Sequence, residues 1–449
     1  MDGTCICAGW WHYFKRGKPI CLDRPKAEGS GEGSVMAKQI IVVGGGIVGV
    51  CSALQLQRDG HQVRLIDAKK PGRETSYGNA GVFAEASIVV MNNPGLLRAL
   101  PKLLLNRSNG LRFNPVFVLK RLPWMLKFLS YCRASHMHHA ARALRQLLTV
   151  SLAEHKRLIA AANVDHLLRQ GGWLKVFRHE SSFAKFAAEL DVLRSNGARF
   201  TVYEREQIRQ IEPGLKPIYC KAVLMDDTCT VSSPADLTDA YVTLFEAAGG
   251  ILEEAKVTGI SVDDTGWHVR AGAASFHGDD VVLAAGAWSA EIASWLGYKI
   301  PMVWERGYHQ HLAPADAPPL QRPVHDIDGS FVIAPMRQGL RVTSGVEITD
   351  RDAPPNYQQI TRSVAAARQA HEMREPIEDQ PWMGRRPTLV DSLPMIGAAP
   401  RHKGLWFNFG HQHLGLSMAP GSAKLLAALM AGAALPVDDA PFRATRFRI

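Results

Sequence analysis

The run Gly44-Gly45-Gly46-Ile47-Val48-Gly49 constrains this chain more than any other feature, because of what flanks it. Before it, residues 39–43 form a short apolar, β-branched run; after it, apolar residues recur at helical spacing as far as Gly60; then residues 63–66 form a second apolar run that closes on Asp67. Strand, glycine turn, helix and strand make a βαβ unit. Gly44 permits the tight turn, Gly46 lets the backbone around Ile47 and Val48 approach a pyrophosphate at the helix N-terminus, and Gly49 lets the helix lie close on the sheet. Asp67 follows Gly46 by 21 residues, about where a carboxylate must stand to bind a ribose hydroxyl. The unit is therefore expected to bind a dinucleotide.

Three further segments bear on which dinucleotide. Residues 74–83 (ETSYGNAGVF) place Thr75, Ser76, Asn79, Ala80 and Gly81 in a loop with little bulk to obstruct a cofactor. Residues 280–289 (DVVLAAGAWS) read as a buried strand that turns, through Ala285, Gly286 and Trp288, into a helix. Residues 410–422 (GHQHLGLSMAPGS) read as a loop running into a last helix. Together with GRRPTLVDSLPMIG at 384–397, these blocks resemble, in content and order, the FAD-dependent amine and amino-acid oxidoreductases of the D-amino-acid oxidase type. Within that family the sequence looks most like the D-amino-acid dehydrogenases, over nearly all of residues 36–449.

The resemblance implies an α/β protein: a Rossmann-like FAD/NAD(P)-binding domain with a second, mainly antiparallel-sheet substrate domain. It implies an FAD lobe from residues 36–100, 200–290 and 375–449, and a substrate lobe from 101–199 and 291–374. It implies FAD as cofactor, held by Gly44, Gly46, Ile47, Val48, Gly49, Asp67, Thr75, Ser76, Asn79, Ala80, Gly81, Val257, Ala285, Gly286, Trp288, His411, Gly415, Leu416 and Ser417. Two departures from the family pattern stand out: Asp67 where Glu is usual, and His411 and His413 on either side of Gln412. Locally, residues 331–334 and 340–345 read as strands of a hairpin, and 140–168 and 182–197 as amphipathic helices.

Enzymes of this family remove a hydride from the α-carbon of a neutral amine and deliver it to flavin N5, leaving an imine that water hydrolyses. The protein must grip the substrate carboxylate at two points, which favours Arg over Lys. The family's G-x-R-P pattern points to Arg386 rather than Arg385, and its Gly-Tyr segment to Tyr308 as a second contact; His413 is expected beside the flavin or the substrate. The start of the last helix, 415–417, is placed to stabilise negative charge on a reduced flavin. His309 and His311, like His411 and His413, are spaced as metal ligands on a strand would be, but no nearby Cys or carboxylate completes a set, and no metal is expected.

The expected activity is oxidation of D-amino acids, with D-proline and hydroxy-D-proline among the candidates, and transfer of electrons to a quinone. The alternatives are a glycine- or sarcosine-type oxidase that releases peroxide, and a flavoprotein subunit without turnover. Composition decides what else is excluded. The formal charge of +10 suggests nucleic acid until it is located: ten Lys or Arg and no Asp or Glu fall within residues 86–153, and the remaining basic residues balance the 42 acidic ones. That segment is also rich in Leu, Phe and Trp and has no nucleic-acid motif, so it reads either as a solvated basic face over an ordinary core or as a surface for an anionic bilayer, with the protein cytoplasmic or peripheral on the inner face of the cytoplasmic membrane. Seven cysteines without paired spacing suit a reducing cytoplasm. Residues 1–35 show no helical or strand period and are expected to be a disordered extension or a misassigned start.

Overall fold

The computed structural model describes residues 36–449 except 104 and 106–108, so the expectation for residues 1–35 lies outside the described residues. The elements that build the cavity are, along the chain, β1 (Gln39–Val43), α1 (Ile47–Arg58), β2 (Gln62–Asp67), α2 (Pro115–Lys120), α3 (Leu122–Ser130), α4 (Ala134–Ala161), α5 (Pro234–Ala247) and β3 (Ile251–Glu254). They continue with β4 (Asp280–Leu283), β5 (Met302–Pro314), β6 (Trp382–Leu389), β7 (Met395–Ala398), β8 (Leu405–Phe409) and α6 (Gly415–Ala431).

Six strands form one sheet in the order β3-β2-β1-β4-β8-β7. All of its pairings are parallel except that of β7 with β8. The βαβ unit forms as its pattern requires: β1 pairs with β2 from Gln39–Gln62 to Val43–Ile66, and α1 ends before Gly60, whose φ of +95° favours glycine. Because β1 lies between two strands and is covered on both faces, Ile40, Ile41, Val42 and Val43 are all buried, which explains its continuous apolar run. One face carries α1, α4, α5 and α6; the other meets a three-stranded antiparallel sheet over residues 257–278.

The docking of α4 against α6 has a particular cause. Pro420 lies inside α6 and has no N–H for the carbonyl of Leu416 four residues back. His155 of α4 supplies the missing donor: its Nε2 bonds to the Leu416 oxygen at 2.7 Å, while Nδ1 accepts from the Tyr241 hydroxyl at 2.9 Å. Gly421 completes the approach, since a Cβ there would come within 2.7 Å of the Leu147 oxygen. Helix α4 thus begins at Ala134, earlier than its amphipathic pattern suggests, and ends at Ala161 just before Asn163, which turns the chain at φ +55°.

The second, eleven-stranded sheet is mainly antiparallel and centres on β5, which pairs with β6 and with Gly339–Thr343. The expected hairpin is present, Phe331–Met336 against Gly339–Thr343. Helix Gln358–Ala370 packs on this sheet. Boundaries read from sequence fall differently strand by strand: Phe200–Glu204, Lys221–Met225 and β6 pair into the eleven-stranded sheet, and α4 packs on the parallel one. Side-chain pattern identifies a strand but not the sheet that receives it.

The acid-free segment also divides. Much of α4 is buried core, and Phe117 and Phe128 point inward, while Trp124 donates to the Pro301 carbonyl at 2.9 Å. What remains outside is a set of exposed apolar side chains, Leu97, Val116, Leu119, Leu122 and Leu126, and of exposed basic ones, Arg98, Lys120, Arg121 and Lys127. Among the described residues, no helix is long and apolar enough to cross a membrane.

Candidate active site

A cavity of about 740 Å³ lies at the carboxyl ends of β1, β2, β4 and β8, closed on its other side by β5 and β6. Its position is where open parallel sheets bind ligands. The turn after β1 forms one end. Gly45 N donates to Asp67 Oδ2 at 2.5 Å and Lys69 N donates to Oδ1 at 2.9 Å, so the backbone fixes the carboxylate. Burial raises the Asp67 carboxyl above its usual range, and those two N–H groups oppose the rise. Helix α1 has Gly46 at its N-cap, with no side chain to cap it, and no acid in its first turn; Ser76 Oγ accepts from Ile47 N, and the rest of its positive end faces the cavity.

The glycines divide by task. A Cβ on Gly46 would meet no protein atom closer than Ser76 Oγ at 3.4 Å, so the protein does not itself require glycine there; the open space in front of it is the cavity. A Cβ on Gly44 would lie 2.5 Å from the Ala284 oxygen and one on Gly49 1.8 Å from the Gly44 oxygen. Gly49 is thus a packing residue behind the wall and lines no part of the cavity, which corrects its place among the expected cofactor contacts. The same holds for Gly81, at φ +67° with the Val231 oxygen where a Cβ would be.

Ile47, Val48, Thr75, Ser76, Asn79, Ala80, Val257, Ala285, Gly286, Trp288, His411, Gly415, Leu416 and Ser417 all line the cavity. Several of their polar side chains are already occupied in holding its shape. Ser76 Oγ accepts from Ile47 N at 2.9 Å, Thr75 donates to the Arg385 carbonyl at 2.6 Å, and Asn79 bridges Ser76 O and Gly81 N, both at 2.7 Å. Buried Arg341, which sequence reading passed over, clamps the same loop by donating to the carbonyls of Tyr77 and Asn79 at 2.8 and 2.6 Å. Gly78 is required beneath Trp382, since a Cβ would fall 1.8 Å from the indole. At the opposite edge, α6 starts with no acid and no side-chain cap; Ser417 ties it to the loop by accepting from Ala84 N and donating to Val82 O, both at 3.0 Å. His411 Nε2 meets Ser422 Oγ at 2.8 Å, and burial holds its imidazole down to about 3.

The two adjacent arginines differ sharply. Arg385 is committed: Nε donates to the Arg351 carbonyl at 2.9 Å, Nη1 reaches Glu74 at 3.5 Å, and the guanidinium lies 5.6 Å from the Trp288 ring. Arg386 faces the cavity, and no hydrogen bond or ion pair engages its guanidinium among the described residues. It lies over Gly307, where a Cβ would come within 2.4 Å of Nη2. Burial lowers its pKa and the charge of Glu305, its cross-strand partner, raises it; the same burial pushes the Glu305 carboxyl up. His413 projects into the cavity beside Arg386, its side chain open to that space and neither nitrogen bonded among the described residues; desolvation by the cavity walls, then the arginine's charge, holds its imidazole near 4.

Tyr308 does not reach the cavity. It is 1% exposed, donates to Glu347 Oε2 at 2.5 Å and accepts from Arg306 Nη2 at 2.7 Å, which corrects the expectation of a substrate contact. The reason is the alternation of β5: Gly307 faces Arg386, so its neighbour faces away. Trp173 and His325 were also missed, although both line the cavity. They meet only because Val324–Asp326 pairs in parallel with Trp173–Phe177, and no local pattern signals that pairing.

Comparison with known proteins places this geometry in a wider set. The profile of a family described as FAD dependent oxidoreductase matches residues 39–429. The chain is 29% identical over 428 residues to a D-amino-acid oxidase of Bradyrhizobium diazoefficiens, covering 91% of this chain and 99% of the relative. It is 30% identical over 436 residues to D-amino acid dehydrogenase 2 of Ralstonia nicotianae, covering 91% and 100%. In fold it resembles glycine oxidase from Geobacillus kaustophilus, with a TM-score of 0.71 at 22% identity over 92% of this chain and 99% of that one. L-proline dehydrogenase from P. horikoshii gives 0.67 at 18% identity over 91% and 98%.

Proposed function

This chain belongs to the FAD dependent oxidoreductase family, and from that premise we propose that it oxidises D-amino acids at the α-carbon, with FAD along the cavity and the substrate carboxylate on Arg386. The observation that carries the reading is the uncommitted guanidinium of Arg386, facing the cavity while its neighbour Arg385 is held by the Arg351 carbonyl and Glu74. Both curated relatives described above are named for D-amino acids.

Bound FAD supplies the two-electron acceptor. The residues at the parallel-sheet end suit its dinucleotide half: the open face of Gly46 and the N-terminus of α1 for the pyrophosphate, Asp67 for ribose hydroxyls. The N-terminus of α6 suits the edge of the ring system that gains negative charge on reduction. Arg386 fixes the carboxylate by two parallel hydrogen bonds and thereby orients the α-carbon. His413, neutral and unbonded, accepts a hydrogen bond from the substrate amine.

Electrons pass to a quinone at an anionic bilayer on the inner face of the cytoplasmic membrane, a reading supported by the exposed apolar side chains of Leu97, Val116, Leu119, Leu122 and Leu126 and the exposed basic ones of the same segment. The oxidase name of one relative favours a second reading, with oxygen as acceptor and peroxide as product. Anaerobic mixing with paired D- and L-amino acids, followed by quinone or air, separates these. The reading expects bleaching by D-enantiomers and recovery with quinone. Bleaching by L-enantiomers alone would overturn it, and fast stoichiometric peroxide without quinone activity would select the oxidase.

A further inference from the structure

We propose that Glu305 is the internal counter-charge of Arg386, and that it takes up one proton when a carboxylate ligand binds to that arginine, so that the site exchanges one anion for another. The inference rests on the reading of Arg386 above and adds to it a positioning residue outside the cavity.

The register of β5 against β6 sets Glu305 directly opposite Arg386 and Gly307 opposite Gly384. Opposed residues share a face, so Arg386, Glu305 and Gly307 lie on one side of the sheet. The guanidinium extends along that side over Gly307, where a Cβ would fall 2.4 Å from Nη2. Glu305 is 2% exposed and lines no part of the cavity, so it takes none of the space a ligand would need. The two side chains feel each other's charge without a hydrogen bond between them, and Glu305 Oε2 has no bonded partner among the described residues.

Other buried carboxylates of this protein are paired differently. Asp326 meets Arg178 at 2.7 Å, Glu212 meets Arg322 at 3.1 Å and Glu347 meets Arg306 at 3.3 Å, and each of these contacts occupies the arginine's Nε. Glu305 instead offsets the charge of Arg386 and leaves its donors for a ligand. The strands on either side supply no second counter-charge: β6 brings Thr388 beside Arg386, Val346–Ile348 sets Ile348 opposite Glu305, and Arg306 and Glu347 turn together to the other face. His413, on the cavity side of Arg386, is neutral.

A carboxylate arriving at Arg386 puts two anions on one cation, and like charges that share a site resist being ionised together. The ligand is held ionised by two charge-assisted hydrogen bonds. The Glu305 carboxyl is already pushed up by burial, against the opposing influence of Thr388 and of the Arg386 charge, and the ligand cancels part of the latter. The proton comes from solvent, no bond between heavy atoms changes, and the site carries the same net charge before and after. Departure of the product carboxylate returns the proton. By linkage, affinity for a carboxylate falls as pH rises, by up to about tenfold per pH unit.

The test is titration of the purified holoenzyme with propionate, a carboxylate with no amine to oxidise, followed by the change in flavin absorbance between about pH 5.5 and 8.5. Wild-type protein is expected to bind propionate about tenfold or more weakly at the upper end than at the lower. Glu305→Gln, neutral throughout, should bind at least as tightly as wild type does at low pH and lose the pH dependence, whereas His413→Gln should keep it. A merely structural glutamate would weaken binding when replaced and leave the slope in place. Binding by wild type that ignores pH, an unchanged slope or weaker binding in Glu305→Gln, or a slope lost in His413→Gln would overturn the exchange. Where Glu305→Gln fails to fold, the wild-type and His413→Gln titrations decide in its place. Propionate that fails to bind, or that binds wild type and Arg386→Lys alike, removes the reading of Arg386 and the exchange with it; binding that needs Arg386 but ignores pH removes the exchange alone.

Discussion

The two ends of the cavity are built on opposite plans. At the parallel-sheet end the backbone does the work: strand termini, N–H groups at the start of α1, and the missing Cβ of Gly46 shape the space, with Asp67 held by two backbone donors. At the other end the side chains do it, through Arg386, His413, Trp173 and His325, carried on strands and loops far apart in the chain. A site made of backbone fails when the chain cannot approach itself or its ligand. A site made of side chains fails chemically while the fold survives.

The largest expected effect sharpens the first half of that comparison. Gly49→Val should leave almost no folded protein, because its side chain would occupy the space of the Gly44 carbonyl. Gly46→Val should fold yet purify nearly colourless, since only the ligand needs that space; absorbance of bound flavin per protein, with circular dichroism as the control for folding, checks both. Yellow Gly46→Val protein would break the backbone plan. Next in size, Arg386→Lys should lower kcat/KM by roughly 10²-fold through loss of a charge-assisted, two-point grip, and Arg385→Lys by less than about tenfold. Steady-state kinetics on both variants would show the side-chain plan misplaced if the order were reversed.

A smaller effect compares the cores beneath the two ends. His155, under α6, is held near 4 by burial, opposed by its bond to Leu416, so the folded state binds fewer protons than the unfolded one and stability falls as pH drops from about 6.5 toward 4. Glu212, beneath the eleven-stranded sheet, is pushed up to about 7, chiefly by burial, so its contribution is complete at low pH and lost as pH rises toward 7. His155→Gln and Glu212→Gln should therefore tilt the pH 4–7 stability profile in opposite directions, a thermal-unfolding measurement in which parallel shifts would contradict the assignment. The smallest effect is Tyr308→Phe, which removes a buried hydroxyl that donates to Glu347 and accepts from Arg306 and the Asn356 N–H, while the direct Arg306–Glu347 ion pair remains. Stability should fall by about 1 kcal/mol and kcat/KM should stay within a few-fold of wild type; a larger kinetic loss would return Tyr308 to the substrate.

Legibility in the sequence follows the same division. The dinucleotide end was readable because its determinants are contiguous: Gly44, Gly46 and Gly49 have distinct physical tasks at fixed spacing, and Asp67 closes the next strand. Arg386 was readable through a family pattern, but its freedom from partners was not, because that depends on Arg351 and Glu74 reaching Arg385 instead. Tyr308 was misplaced by carrying over the family's Gly-Tyr segment without regard to strand alternation; once Gly307 lies under Arg386, the next side chain must face Glu347. Trp173 and His325 were invisible, since 152 residues separate them and only a parallel pairing joins their strands. The apolar content of residues 86–153 was overread for a related reason: composition records Phe117 and Phe128 without recording that they turn inward.

The strand order of the parallel sheet also governs how the protein comes off the ribosome. The βαβ unit is complete by Asp67, but the inner edge of β1 waits for β4 at Asp280–Leu283, and β4 in turn waits for β8 at Leu405–Phe409. At about 5–20 residues per second, the first of those delays alone is on the order of tens of seconds, during which an apolar edge stays unpaired. The helix whose N-terminus borders the cavity, α6, emerges later still. No shortened nascent chain can enclose the cavity, so retention of the yellow cofactor doubles as a proof-reading mark that translation ran to the last helix.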